Sequence, residues 1–366
     1  MPTSLYRRTL ESMAPTSVGA IVPARGGGPA SAANLAPVRT ARRRSVVAVV
    51  GAALVLGLLL VAGPARAADP WTRPSGSGVT VQRGTRPPTV PGAPACPIFP
   101  STNVWNKRID GRPRAANSAT MISAIGLDRG LHMDFGSYAG YGIPYQVVTA
   151  STPRSTVTFE YADESDHVGY PIPTNPKIEG GSDRHILMVD KDACRLYELF
   201  AASRSGGRWY AGSGATWDLR SNKLRPAGWT SADAAGLPIL PGLVRYDEVA
   251  AGAINHALRF TTNRTRKAYL YPARHYASSS TSTSLPPMGL RVRLKASYDT
   301  SGFSPAARVI AEALKRYGMI LADNGSPWYV SGMSDPRFDD DVLHELDVIT
   351  GRHLEVVDTT GLVNGP

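Results

Sequence analysis

His185-Ile-Leu-Met-Val-Asp190, Lys191-Asp-Ala-Cys194 and Arg195-Leu-Tyr-Glu-Leu-Phe200 follow one another without a break. Two apolar runs flank a short polar turn, which predicts a β-hairpin. Gly207-Arg-Trp-Tyr-Ala211 reads as the next strand. Upstream, Ser155–Tyr161 alternates, with Val157, Phe159 and Tyr161 on one face. Downstream, Ile254–Phe260 alternates, placing His256, Leu258 and Phe260 together and Arg259 on the reverse face. Lys267–Tyr271 and Leu290–Leu294 read as strands, the latter with its leucines and valine inward and Arg291 and Arg293 outward.

Helices are fewer. Asn117–Ile125 is short. Ser304–Gly318 has a capping serine, a proline in the first turn, an apolar stripe and a closing glycine. Asp340–Ile349 opens with acids that complement its dipole. The pattern predicts a mainly β domain, an antiparallel β-sandwich or jelly-roll-like fold with a few peripheral helices.

Composition agrees. The 366 residues are 42% hydrophobic and 19% charged, as in globular chains. The 36 Gly and 30 Pro favour short strands joined by turns over a long helical bundle. The net charge of +11 is concentrated at the front. Residues 1–67 hold eight of the 40 basic residues and one of the 29 acids, a balance of +7. That leaves 32 bases against 28 acids, or +4, for the rest. A nucleic-acid binder would keep its basic excess on the folded part, so nucleic acid is set aside as a partner.

Arg42-Arg43-Arg44, an uncharged run from Ser45 to Gly63, and Pro64-Ala-Arg-Ala67 have the parts of a secretory signal peptide cut after Ala67. The apolar run is also long enough for an uncleaved anchor with the arginines inside, the only membrane association expected. Either way the remainder faces outward. Cys96 and Cys194, the only cysteines, then read as a disulfide. Residues 1–67 form the leader, 68–94 a Pro/Gly/Ser-rich linker, and 95–360 one β-rich domain.

Serine-hydrolase, zinc-protease and nucleotide-binding signatures are absent, and no cofactor is expected. Acids, imidazoles and aromatics instead gather in turn-rich clusters. They include His132-Met-Asp134, Asp163–His167, Glu179–His185, Gly212–Asp233 between strands, Arg245–Glu248, Arg274-His275 and Ala322-Asp-Asn-Gly325. Glycoside hydrolysis needs two carboxyl groups facing one cleft, one of them protonated. A polysaccharide lyase needs a cation for the uronate and an imidazole or phenol as base. Asp183 and Asp218 are the expected carboxyl pair, with His185, His256 and His275 as acid/base or positioning groups. Trp217 and Trp229 would stack on sugar, with Arg245 and Arg259 binding substrate. Each also has a structural reading: turn chemistry for Asp163 and Asp183, a hydrogen-bonded core for His256, helix capping for Asp339–Asp341. His132 and Asp134 alone fall short of a metal site.

Trp217–Ile239, Pro241–Val249, Asn103-Val-Trp-Asn106, Leu131–Gly136 and Pro287–Ala296 together resemble a family of secreted bacterial proteins of actinobacterial type, with no activity attached to it. The resemblance covers about residues 96–360. It implies one long extracellular domain and transfers no catalytic residue. The expectation is a secreted carbohydrate-active enzyme, hydrolase or lyase, acting on an extracellular polysaccharide. The alternatives are a carbohydrate or cell-wall binding module and an envelope structural protein.

Overall fold

The computed structural model describes residues 87–365. The signal or anchor segment and most of the expected linker lie outside them. Three sheets carry the fold. The largest has the order β1 (His132–Asp134), β12 (Tyr329–Ser331), β9 (Leu258–Thr262), β11 (Met319–Asn324), β10 (Arg291–Leu294), β13 (Leu354–Val356). A second runs β2 (Tyr145–Val148), β4 (Ile186–Asp190), β5 (Arg195–Phe200), β8 (Ser213–Asp218). A small third sheet joins β3 (Val157–Phe159), β7 (Arg208–Ala211) and β6 (Ser203–Ser205). The helices are α1 (Ser118–Ile125), α2 (Tyr246–Ala250), α3 (Pro305–Arg316) and α4 (Asp340–His344).

The protein is therefore mainly β. Its sheets are mixed, however, not wholly antiparallel: β1–β12, β9–β11, β2–β4 and β3–β7 are parallel pairs.

The expected hairpin forms, with Asp190 paired to Arg195 and Ile186 to Leu199. Its apolar runs do not alternate because both faces are covered. Leu187, Val189 and Leu196 enter the main core, whereas Ile186, Met188, Tyr197 and Leu199 enter a second core with β3 and β7. The glycine-rich Gly212–Asp218, read as a cluster in a loop, is strand β8 beside β5. A Cβ on Gly214 would sit 2.4 Å from the Tyr170 hydroxyl and 2.6 Å from the Phe159 ring. The glycine is there so that aromatics can lie on the strand.

Other local expectations shift. The strand after Ile254 begins only at Leu258, leaving His256 in the turn before it. Lys267–Tyr271 contributes only the bridge Tyr269–Met288. Arg291 is turned inward and 2% exposed, because its guanidinium donates to the carbonyls of Val104, Lys107 and Tyr317. The end of the expected linker is folded: Val90 and Ala93 are buried, and Ile98 N–H donates to the Pro88 carbonyl. Asp339 caps α4 through the N–H groups of Asp341 and Val342, so Asp339–Asp341 serve the helix.

Cys96 and Cys194 are bonded across 98 positions. The bond is consistent with an extracellular location. Among the described residues no helix is long and apolar enough to cross a membrane. Closing so long a loop constrains the unfolded chain, so replacing both cysteines by alanine is expected to remove about 4–5 kcal/mol of stability. Urea unfolding of the double variant measures this, and an unchanged midpoint contradicts it.

Candidate functional site

The alternation of β9 turns Leu258 and Phe260 into the core and Arg259 to the reverse face. Arg259 is buried there, which requires partners. Its Nη2 donates to Asp233 Oδ2 at 2.8 Å and its Nη1 to Ser331 Oγ at 2.8 Å. Asp233 Oδ1 also accepts from Ala235 N–H at 2.9 Å.

The loop around Asp233 connects residues that are distant in sequence. The Ala232 carbonyl accepts from His185 Nε2 at 2.9 Å, and the Ala234 carbonyl from His275 Nδ1 at 2.8 Å. Ala234 N–H points at Asp323 Oδ2, 3.4 Å away. Gly236 closes the loop at φ +69°, where a Cβ would stand 2.4 Å from the Trp229 carbonyl.

Asp323 reaches this face through an irregularity. Ile320 is opposite Arg259 and Leu321 opposite Phe260, but Asp323, not Ala322, is opposite Thr261. The extra residue reverses the alternation. Without the bulge Asp323 would point to the other side of the sheet. With it, the register produces two rows on one face. His132, Tyr329, Thr261 and Asp323 cross β1, β12, β9 and β11. Asp134, Ser331 and Arg259 form the second row.

The electrostatics follow from this packing. Asp323 is only partly shielded by area, yet its surroundings are dense enough that burial is the main cause of a pKa raised to about 7. The charge of Asp233 adds to the rise and Arg259 opposes it. Burial raises Asp233 too, against its direct bond to Arg259. Asp134 is raised by burial, partly offset by His132 and Tyr141. Burial opposes a charged His185, but its 2.5 Å bond to Glu179 and the charges of Glu179 and Asp183 together outweigh that and raise the imidazole pKa. Behind the site, fully buried Glu198 is raised to about 7, although both its oxygens accept from Ile239 and Leu240 N–H.

Of the expected residues, Arg259 and His185 meet here, and His275 hangs on the same loop. Asp183 lies exposed in the turn before β4, within the field of His185. Asp218 is elsewhere. It pairs with Arg195 at one end of β5, while the Asp183 carbonyl accepts from Ala201 N–H beyond the other end. That is about 20 Å along the strand, so the pair cannot flank one glycosidic bond. Asp218 instead accepts from Arg220 N–H in a turn.

Trp217 is 5% exposed and lines a crevice with Asn103, Trp105, Lys223 and Arg225 that contains no carboxylate. Arg225 lies 5.8 Å from the Trp217 ring and 5.5 Å from that of Trp229, so both indoles hold an arginine, itself bonded to Asp166. His256 and Arg245 form a separate buried group on Glu248, at 3.0 and 2.7 Å. Burial would raise that carboxyl, but Arg245 and His256 together keep it low. This group ties α2 to the Thr89 carbonyl, and the adjacent Val244 N–H donates to the Ser331 carbonyl on β12.

Among the described residues no three His, Cys, Asp or Glu side chains are grouped to hold a metal. Comparison with family models, curated proteins and solved structures finds no match to this chain.

Glu198 has an ordinary value of 4.5 unfolded and about 7 folded. Its folded form therefore binds the proton more tightly. The associated stability is full below pH 4.5 and is lost as pH rises through 7. The stability difference between the native protein and Glu198→Gln should change by about 3 kcal/mol across that window. Unfolding curves at several pH values test this, and a flat difference removes the assignment.

Proposed function

We propose that the protein is an extracellular enzyme that cleaves a polysaccharide by carboxylate acid–base chemistry centred on Asp323. The placement of Asp323 carries this reading: the bulge brings this partly exposed residue, whose carboxyl burial pushes up to about 7, onto the face of the buried Arg259–Asp233 pair. Such a group can protonate a leaving glycosidic oxygen. Asp233 is too buried to touch substrate and acts as a positioning residue that raises Asp323. Glu179, 16% exposed at its side chain and held by His185, is the carboxylate available to activate water or stabilise positive charge. The disulfide supports an extracellular setting, and the four-stranded sheet, covered on both faces, suits a sandwich-like scaffold.

The second reading is a binding module that only holds glycan. The exposed rings of Tyr138, at 74%, and Tyr141 beside His132 favour it.

A panel of insoluble and soluble polysaccharides should release reducing ends with the native protein. Asp323→Asn should lower turnover by roughly 10²–10⁴-fold, and Asp218→Asn should leave it unchanged. Activity should decline above pH about 7, where Asp323 loses its proton. A folded protein that retains glycan without releasing any end supports the binding module and overturns the enzyme.

A further inference from the structure

The outer row of the site extends beyond the acid. His132, Tyr329, Thr261 and Asp323 are all partly exposed, whereas Met133, Val330, Phe260 and Leu321 on the reverse face are buried. From β1 to β11 the row crosses three strand spacings, about 14 Å, which exceeds one sugar ring. At the β1 end the His132 and Tyr329 rings lie 4.2 Å apart, and the Tyr141 hydroxyl is 2.6 Å from His132 Nε2. At the β11 end, Asn324 Nδ2 donates to the Ala277 carbonyl, which holds the segment of His275 and Tyr276 beside Asp323. Those two rings are stacked at 5.6 Å, with Lys267 over Tyr276. Aromatic rings thus lie toward both ends of the row: His132 and Tyr329 on β1 and β12, and His275 and Tyr276 in the segment that Asn324 ties to β11.

The charge along the row narrows the ligand. Asp233 already occupies Arg259 and Glu179 already holds His185, so neither cation is free for an anionic ligand. A chain of uronates or sulfates would find neither of them to neutralise it, while hydroxyl-rich neutral rings would find acceptors and stacking faces.

We propose that this row is a track for a glycan chain of several rings bearing no carboxylate or sulfate. The chain lies across β1, β12, β9 and β11 with Asp323 under an internal linkage. The placement of the linkage rests on the catalytic reading above; the track itself does not.

Calorimetry with cello- and chito-oligosaccharides, from disaccharide to hexasaccharide, tests it on Asp323→Asn so that nothing is consumed. Affinity should rise with each added ring until the track is filled. Tyr329→Ala should weaken the hexasaccharide by about tenfold, the loss expected for one stacking ring, and leave the disaccharide little changed. Tyr329→Phe should restore the native value, which separates stacking from misfolding. Oligogalacturonates of the same lengths should bind more weakly. Affinity independent of length, or tighter binding of the oligogalacturonates, overturns the track. Length-dependent binding without turnover by the native protein supports the track and overturns the catalytic reading. Turnover with length-independent binding does the reverse.

Discussion

The candidate site depends on one buried contact, between Arg259 and Asp233. Removing two charges from water costs several kcal/mol each, and the cost is offset only when the remaining hydrogen-bonding positions are filled. Ser331 and the Ala235 N–H fill two of them. Removing one partner of such a pair typically costs about 3–5 kcal/mol because the other is left charged and dry. Here more than stability is at stake. The pair fixes the loop whose carbonyls hold His185 and His275 and whose N–H meets Asp323. A contact that barely reaches solvent thus determines where the solvent-reaching groups stand.

That loop is anchored a second time. Glu198 lies in the middle of β5, facing the main core among leucines, and its carboxyl captures the N–H groups of Ile239 and Leu240. Residues 233 and 239 are therefore tied to two different sheets. The β4–β5 hairpin is a rigid support because both its faces are packed, and His185 directly precedes β4. The short bond between His185 and Glu179 thus begins from a fixed backbone, which limits the freedom of the carboxylate it holds.

What could be read from the chain was what neighbouring residues decide. The hairpin at 185–200, helix α3 and the inward–outward division of Leu258, Arg259 and Phe260 are set by local alternation or capping, and they stand. The Cys96–Cys194 bond followed from there being only two cysteines. What escaped was set by distant contacts. Gly212–Asp218 has a weak side-chain signal for a strand, because Gly214 makes room for Phe159 and Tyr170 and Gly212 for Phe200. Arg291 alternates like a surface residue and is drawn inward by carbonyls from elsewhere. Trp217 and Trp229 carry the composition of sugar platforms, but an arginine already occupies the space beside them. Tyr329 gives no strand signal because its strand is three residues long. Asp323 belongs to one of the polar clusters, yet its direction depends on a bulge at Ala322 that no spacing rule reveals. Asp-Asn-Gly after an apolar run, a common sign of a strand breaking near a site, was the available hint.

In the proposed acid–base chemistry one arginine serves better than two or none. Without Arg259, burial would push both Asp233 and Asp323 toward the neutral acid, leaving nothing ionised to polarise its neighbour. With a second guanidinium, both would ionise and no proton would be available near neutral pH. A single cation bonded to one carboxyl breaks the symmetry. Asp233 has the direct bond and is the better placed to bear the charge, whereas Asp323 feels that charge as repulsion and keeps its proton. Pairs of acids with unequal environments are the general basis of acid–base division of labour. In this chain the inequality arises from the bulge, which lets Asp323 approach the Arg259 face of the sheet without taking the guanidinium's hydrogen bonds from Asp233.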